Sequence, residues 1–593
     1  MIEVSDLTIP VELELAEAIA WLAAETWLAP LREQLATSLR EFLATLGING
    51  TPRITVQRLW SGDRVMQVYV QGLRQPYSPE TMRRIWQSHA PSHQGDLPDQ
   101  QSPGYEFPDQ WLREYLESVN PAHQEEVTHA LTYLSALALA AIQERPSCLI
   151  GDAQVREYIR RAPQPFEGKP DQVAFVLQFL VDHGVSVANA PFILQAISQG
   201  EALSRSLEDT AETLFTRLRS PQLEIIVSPQ DFSYLVGADA PQDTASIYSE
   251  IVHEEARNLF SLMEDGIFWD MGLYFPNLVW KIDPDMPGAM VAIRLNNRVT
   301  SKLPILQSGY ILANDTPERL RLLGVTATPA RNPANGNLCS IVSVDHKQAL
   351  EKRGLTTWTS LRYLILLLYG EIRRQSANLF TVADAEYHLA QIRDVYPSLV
   401  EQITQRFSVE DLTRVLRALL TEGLSICDLR SILERLLQYD TIPVDASKHI
   451  VFDERLPVAP DSRVIHADSW KSYYEFVRHG LKRYLSYSLL RSQSTLVVYL
   501  LDPELEQWLV TDNVAWHGDT RELDDKRHAV REAVWSETAN SMTPNPVVLT
   551  SMEPRLTLRD ILALEMSHVR VIAFTELLAN VNVQPLARIY FPT

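Results

Sequence analysis

Cysteine is nearly missing from this sequence, with three in 593 residues, at Cys148, Cys339 and Cys427. No CxxC pair occurs and the count is odd, which excludes a disulfide framework and points to a reducing compartment. Positive charge is also scarce. Lys and Arg number 53 against 75 Asp and Glu, a net charge of −22. With no basic run, nucleic acid is not an expected partner, and an anionic membrane surface repels the chain. No uninterrupted apolar stretch reaches the roughly 20 residues of a membrane-spanning helix. Ala130–Ile142 and Tyr363–Tyr369 are the best candidates and read as buried helices. The acidic start, MIEVSDLTIPVELELAEA, lacks the basic region of a signal peptide. A cytoplasmic location is expected, with membrane contact only through partners.

The motifs of catalysis are missing as well. There is no GxxxxGK[ST] loop, no GxGxxG after a strand and no GxSxG elbow. His253-Glu-Glu-Ala-Arg257 has arginine where a zinc helix needs its second histidine. Asp283-Pro-Asp285 lies among proline and glycine and reads as a turn. Cys427 reads as part of an amphipathic helix. No cofactor, no metal and no catalytic set are expected, so the chain is predicted not to be an enzyme.

What is present is apolar periodicity. Asp411–Leu437 reads DLTRVLRALLTEGLSICDLRSILERLL. Leu412, Val415, Leu416, Leu419 and Leu420 line one helical face, and Ile426, Leu429, Ile432, Leu433 and Leu436 line a second. Between them Gly423 suits a left-handed helix end and Ser425 the N-cap of the next helix, with Asp428 three residues on as in a capping box. Arg430 follows; Asp428 and Arg430 read as structural.

The remaining chain predicts an α+β multidomain protein, in which small α/β subdomains alternate with helical hairpin subdomains. The expected divisions are 1–75 (α/β), 76–108 (linker), 109–210 (helical), 215–300 (α/β), 301–355 (strands and loops), 356–440 (helical), 441–465 (linker) and 466–593 (α/β). Within these, 11–46 and Thr244–Met263 read as helices. Residues 54–56 and 65–70 read as a strand pair turning at Ser61–Asp63, and Leu278–Ile282 with Met290–Leu295 as a second pair.

An internal repeat is visible. VLQFLVDHGVSVANAPFIL (176–194) falls on VLRALLTEGLSICDLRSIL (415–433), with Gly184 on Gly423 and Ser186 on Ser425. Leu131-Thr-Tyr-Leu134 falls on Leu361-Arg-Tyr-Leu364, and Leu39–Gly47 parallels Leu259–Gly266. A degenerate duplication in the N-terminal third is therefore expected, 1–75 repeating 215–300 and 109–210 repeating 356–440.

EGLSICDLRSILERLLQYD (422–440) resembles the best-marked segment of the FHIPEP family, the export-gate proteins of flagellar and virulence type III secretion. The resemblance continues through 316–355, YEFVRHGLKRYL (474–485), LDPELEQWL (501–509), PVVLTSMEPRL (546–556) and VRVIAFTELLANVNVQPL (569–586). It implies the family's cytoplasmic module: four subdomains, assembly into a ring, and docking of secretion components, chaperones or substrates, without catalysis. The family's membrane helices find no counterpart in this sequence. Where the flagellar branch docks chaperones through Asp-Pro-Ala-Phe-Gly, this chain has Asn332-Pro333-Ala334-Asn335-Gly336, without acid or aromatic anchor. The family's Thr-His pair falls on Leu366 and Leu367. Asn332, Pro333, Asn335, Gly336 and Leu366 are the candidate docking residues. The alternative reading is a soluble scaffold repurposed for an unrelated complex.

Overall fold

The computed structural model describes residues 7–59, 65–86, 108–236, 247–248, 254–439, 469–490, 495–511, 520–538 and 545–590, less positions 17–18, 24, 79–80, 83, 162–165, 167, 203–205, 220–221, 297, 301, 564 and 567. His253, the turn at Ser61–Asp63 and most of both expected linkers lie outside these residues.

The chain opens with a strand, not the helix expected over 11–46. In β1 (Thr8–Ala16), Ile9, Val11, Leu13 and Leu15 are buried while Glu12 and Glu14 are half-exposed. That is a period of two, and the glutamates' tolerance of helix masks it. Helix α1 (Glu25–Leu46) follows, then β2 (Thr51–Leu59), β3 (Met66–Val70) and β4 (Leu73–Gln75). The sheet order is β2-β1-β3-β4. Hence β2 and β3 do not form the expected hairpin. β1 lies between them, parallel to β2 and antiparallel to β3.

Helices α2 (Pro108–Ser118), α3 (Gln124–Glu144), α4 (Asp152–Arg160), α5 (Pro170–Asp182), α6 (Ala190–Ala202) and α7 (Leu207–Leu218) share one core with that sheet. A second sheet is built from β5 (Gln222–Val227), β6 (Ile247–Tyr248), β7 (Asn277–Ile282), β8 (Met290–Leu295), β9 (Arg298–Val299) and β10 (Leu303–Pro304). Its crossover helix is α8 (Glu254–Met271), so the expected helix over Thr244–Met263 is replaced at its start by the short β6. The order β10-β8-β5-β7-β6 again puts the first strand in the middle, parallel to β7 and antiparallel to β8. The expected β7–β8 hairpin is therefore also interrupted. β5, reading QLEIIV, is apolar enough to be flanked on both edges, and a short 283–289 connection spans it.

A third, smaller sheet has order β12-β13-β11-β14, from β11 (Tyr310–Ala313), β12 (Thr328–Arg331), β13 (Leu338–Ser343) and β14 (Thr357–Trp358). The second helical region comprises α9 (Ser360–Arg374), α10 (Val382–Arg393), α11 (Pro397–Arg406), α12 (Val409–Thr421), α13 (Leu429–Leu437) and α14 (Ser469–Gly480). The last region holds α15 (Lys482–Leu490), β15 (Thr495–Leu501), α16 (Pro503–Val510), α17 (Thr520–Thr538), β16 (Val547–Thr550), α18 (Met552–Leu562), β17 (Arg570–Ala573) and β18 (Asn582–Ile589). Its sheet, ordered β17-β16-β15-β18, is all parallel. Val498, Leu549 and Ile572 face the core shared with α12 and α13, while Tyr499, Val548 and Val571 face α16 and α18. Among the described residues no helix is long and apolar enough to cross a membrane.

The α12–α13 joint carries one correction. Gly423 has φ +68° and ends α12, as its position implies. The N-cap of α13, however, is Asp428, whose carboxylate accepts from Ser431 N at 3.2 Å and Ser431 Oγ at 2.6 Å. Ser425 Oγ instead accepts from Cys427 N at 3.2 Å, closing a small turn. Cys427 and Ile426 thus lie ahead of the helix. The extra turn exists because Ile426 N donates to Met271 O at 3.0 Å, tying the joint to the end of α8. In the N-terminal half, Val187 N donates to Leu46 O at 2.8 Å. Arg430 bonds Glu434 at 2.7 Å and stacks on Tyr396, 4.6 Å from the ring centre.

No atom lies within 4 Å of where a Cβ on Gly423 would sit, so only the backbone resists substitution. Gly423→Val is expected to destabilise by about 1–2 kcal/mol, the cost of the left-handed region for a β-branched residue. Unchanged denaturant midpoints would show that this backbone conformation costs nothing there.

Candidate docking surface and the buried charges behind it

The 332–336 segment is the β12–β13 turn, and its asparagines build it. Asn332 is buried; its Oδ1 accepts from Ala334 N at 2.9 Å, and its carbonyl from Gly336 N at 2.8 Å. Asn335 Oδ1 accepts from Asn337 N at 3.0 Å. Gly336 takes φ +74°, and Arg331 donates to its carbonyl at 2.9 Å. The turn is pressed against α9: a Cβ on Gly370 would lie 2.4 Å from Pro333 O. One turn earlier on α9, Leu366 packs on the small core of Leu306, Leu312 and Cys339. The structure therefore brings the five candidate residues to one junction. It spends Asn332 and Leu366 on internal contacts and leaves Asn335 exposed.

Sequence reasoning missed a buried charge cluster behind the α12–α13 joint. Glu422, just after α12, takes Arg478 of α14 at 2.8 Å and Arg555 of α18 at 3.0 Å, and accepts from the Tyr474 hydroxyl. Arg478 also meets Glu576 at 2.6 Å, and Arg555 pairs with Glu475. Glu576 in turn accepts from Ala573 N at 2.8 Å. The side chains of Arg555 and Glu576 are fully buried. Burial alone would push the Glu422 carboxyl up; Arg478, Arg555 and Arg559 outweigh it and bring it down to about 2. Glu475 is pushed up instead, burial outweighing Arg555. The signal was legible in principle, because Glu422, Arg478, Arg555 and Glu576 each interrupt an apolar stretch. Nothing in the sequence says that the four meet.

A second set of charges joins the N-terminal half to the second helical region. Glu212 on α7 grips Arg417 on α12 with two bonds of 2.5 and 2.9 Å, both groups buried. Arg219 reaches Asp384 at 3.1 Å and Leu379 O at 2.6 Å, and Asp209 pairs with Arg414. Arg84 meets the buried Glu371 of α9 at 2.6 Å.

His568 is half-buried beside Trp535 and is held down to about 4, by desolvation first and by Arg559 second. Its folded value lies below the ordinary 6.5, so the unfolded chain takes the proton first as pH falls. Stability is complete above about pH 6.5 and is lost towards pH 4, by up to about 3 kcal/mol from this group. Denaturation midpoints followed from pH 7 to 4.5 should fall more steeply in the parent than in His568→Asn. Parallel profiles would assign the acid sensitivity elsewhere.

Asp283 Oδ1 accepts from Asp285 N at 3.0 Å, as in a turn. Among the described residues no group of three His, Cys, Asp or Glu side chains is placed to hold a metal. Cys148 and Cys339 are buried and Cys427 half-buried, with burial pushing the Cys339 thiol up to about 11.

The molecule is thus an α+β assembly of small sheets and helical hairpins joined by buried ion pairs. The chain belongs to the FHIPEP family, whose model matches residues 246–582. It is 24% identical over 333 residues to the low calcium response locus protein D of Yersinia pestis, an alignment spanning 55% of this chain and 43% of that protein. The chain therefore spans less than half the length of that relative. Among solved structures it is similar to Chlamydia pneumoniae CdsV in its complex with CdsO, at 23% identity and a TM-score of 0.49, over 63% of this chain and 98% of that one. It is also similar to the nonameric EscV cytosolic domain from the type III secretion system, at 14% identity and a TM-score of 0.44, over 62% and 98%.

Proposed function

We propose that the chain is a non-enzymatic protein-binding and assembly module that acts in protein export, located in the cytoplasm at a membrane complex. The observation that carries this reading is the family match over 246–582, which takes in strands of three of the four sheets. Its partners are proteins: secretion components, chaperones or substrates, and further copies of the chain in a ring. The turn at Pro333–Gly336 with Asn335 outward is the docking edge, and Asn332 and Leu366 hold it in place. The acid and aromatic of the flagellar branch are replaced there by Asn332 and Asn335, which argues against a flagellar-type chaperone as the partner.

The N-terminal half is a worn copy of the 215–300 and 356–440 units. Three placements support this. Both sheets set their first strand between one parallel and one antiparallel neighbour. Gly47 and Gly272 end the crossover helices with φ +71° and +77°. The hairpin joints then donate from Val187 and Ile426 to the residues just before those glycines. This pairs Gly47 with Gly272, whereas the sequence comparison pairs it with Gly266.

Light scattering on the gel-filtered chain, with and without candidate membrane components of a secretion apparatus, tests the assembly. Larger species that include those components are expected. A strict monomer that captures none would overturn the reading. The second reading, a scaffold repurposed for another complex, is favoured by the asparagines at 332 and 335; it would then be left standing.

A further inference from the structure

Helix α8 buries Phe260, Met263, Ile267 and Met271 and turns its other face outward. That outer face is not wholly polar. Leu262 is 66% and Trp269 73% exposed, at i and i+7, with Gly266 between them and open space beyond it. An exposed leucine is ordinary, but a contiguous apolar surface is not. From Trp269 the surface continues through Phe268 (centroids 5.7 Å apart) to Tyr274 (5.1 Å) and on to Tyr387 of α10 (4.8 Å). Tyr274 and Tyr387 are 44% and 50% exposed. The strip therefore crosses from the second sheet unit to the second helical region.

Its border is acidic. Glu264, Asp265 and Asp270 flank it on α8 and Glu386 on α10, all exposed, and Asp270 also accepts from the Tyr369 hydroxyl. The α8 sequence, EEARNLFSLMEDGIFWDM, carries five acids against Arg257 alone. Glu264 is pushed above the usual carboxylate range by burial and by Asp265, as expected where anions crowd.

We propose that this strip docks a cationic amphipathic helix of a protein partner, with apolar residues seated on Leu262, Trp269, Tyr274 and Tyr387 and Lys or Arg facing Glu264, Asp265 and Glu386. Exposed Trp and Tyr supply the anchor energy of such interfaces, and their ring faces attract cations as the carboxylates do. A two-fold pairing of copies would set the same patch against itself and oppose acid to acid. A head-to-tail contact in the ring proposed above is the competing occupant, and the last arm of the test reads it. The surface is separate from the docking edge proposed above, so either can fail alone.

The test uses the full chain and a fluorescent amphipathic leucine–lysine peptide, with its leucine–glutamate counterpart as control, read by anisotropy. Saturable one-to-one binding of the lysine peptide only is expected. Trp269→Ser with Tyr387→Ser should weaken it about tenfold or more, equivalent to about 1.4 kcal/mol. Glu264→Gln with Asp265→Asn should weaken it and flatten its salt dependence. Leu322→Ser, at a residue 87% exposed elsewhere, should leave it unchanged. Circular dichroism of each variant establishes folding. Absence of saturable binding, or equal binding by the Trp269/Tyr387 variant, would overturn the proposal. So would self-association of the parent that the same variant abolishes, since the face would then belong to a second copy.

Discussion

Arg555→Leu should lower the stability of the chain by about 3–5 kcal/mol, the usual cost of removing one partner from a buried ion cluster. Arg555 is fully buried between Glu422, Glu475 and Glu576. Without it, Arg478 is left to answer all three carboxylates. Glu422 would lose one of the three cations that hold it near 2, and Glu475, already pushed up, would be pushed up further. The loss should therefore be largest at alkaline pH and shrink as the solution is acidified. Because α12, α14 and α18 meet at this cluster, the loss should appear as early separation of the last sheet from the hairpin, seen by hydrogen exchange over β15–β17. Arg430→Ala is the contrast. That arginine is exposed and paired with Glu434 one turn away, so its removal should leave the denaturation midpoint almost unchanged. Equal effects of the two substitutions would show that burial does not decide the energetics of these pairs.

Gly272→Val should be the second severe substitution, at about 2–5 kcal/mol. Two costs add. The residue has φ +77°, worth about 1–2 kcal/mol against a β-branched side chain. A Cβ there would also lie 2.5 Å from Cys427 N and 2.7 Å from the Ile426 carbonyl carbon, and forced overlap costs about 1–3 kcal/mol more. Backbone, unlike a side-chain tip, cannot swing away, so the hydrogen bond from Ile426 N to Met271 O would break. Gly47 is placed against Ala188 in the same manner, with a Cβ 2.5 Å from Ala188 N. Gly47→Val should cost a similar amount in the N-terminal half. Gly423→Val meets no neighbour and should cost the least of the three. If all three proved equal, steric approach would be irrelevant, and the parallel between the two halves would lose its energetic support.

How much of this could be read from residues alone varies with the range of the interaction. The α12–α13 hairpin was legible because its apolar spacing and Gly423 act within a few residues. Its N-cap was misplaced by three positions, because Ser425 and Asp428 are both good caps and only the bond from Ile426 to Met271 chooses between them. The β1 strand was hidden by its length of alternating Val-Glu-Leu-Glu-Leu, which satisfies helix propensity as well as strand periodicity. Both expected hairpins failed for a topological reason. A short connection between two strands favours pairing, but in each sheet the first strand took the position between them, parallel to one and antiparallel to the other.

By itself, the amino-acid sequence determined the family, the α+β class and the α12–α13 hairpin, since each rests on residue types and their local order. The tertiary structure alone decided which strands are central, that Glu422, Arg478, Arg555 and Glu576 form one buried cluster, and that Glu212 grips Arg417 across 205 positions. The physical reason is the same in each case. A buried charge or a central strand is defined by what surrounds it, and the surroundings come from distant parts of the chain.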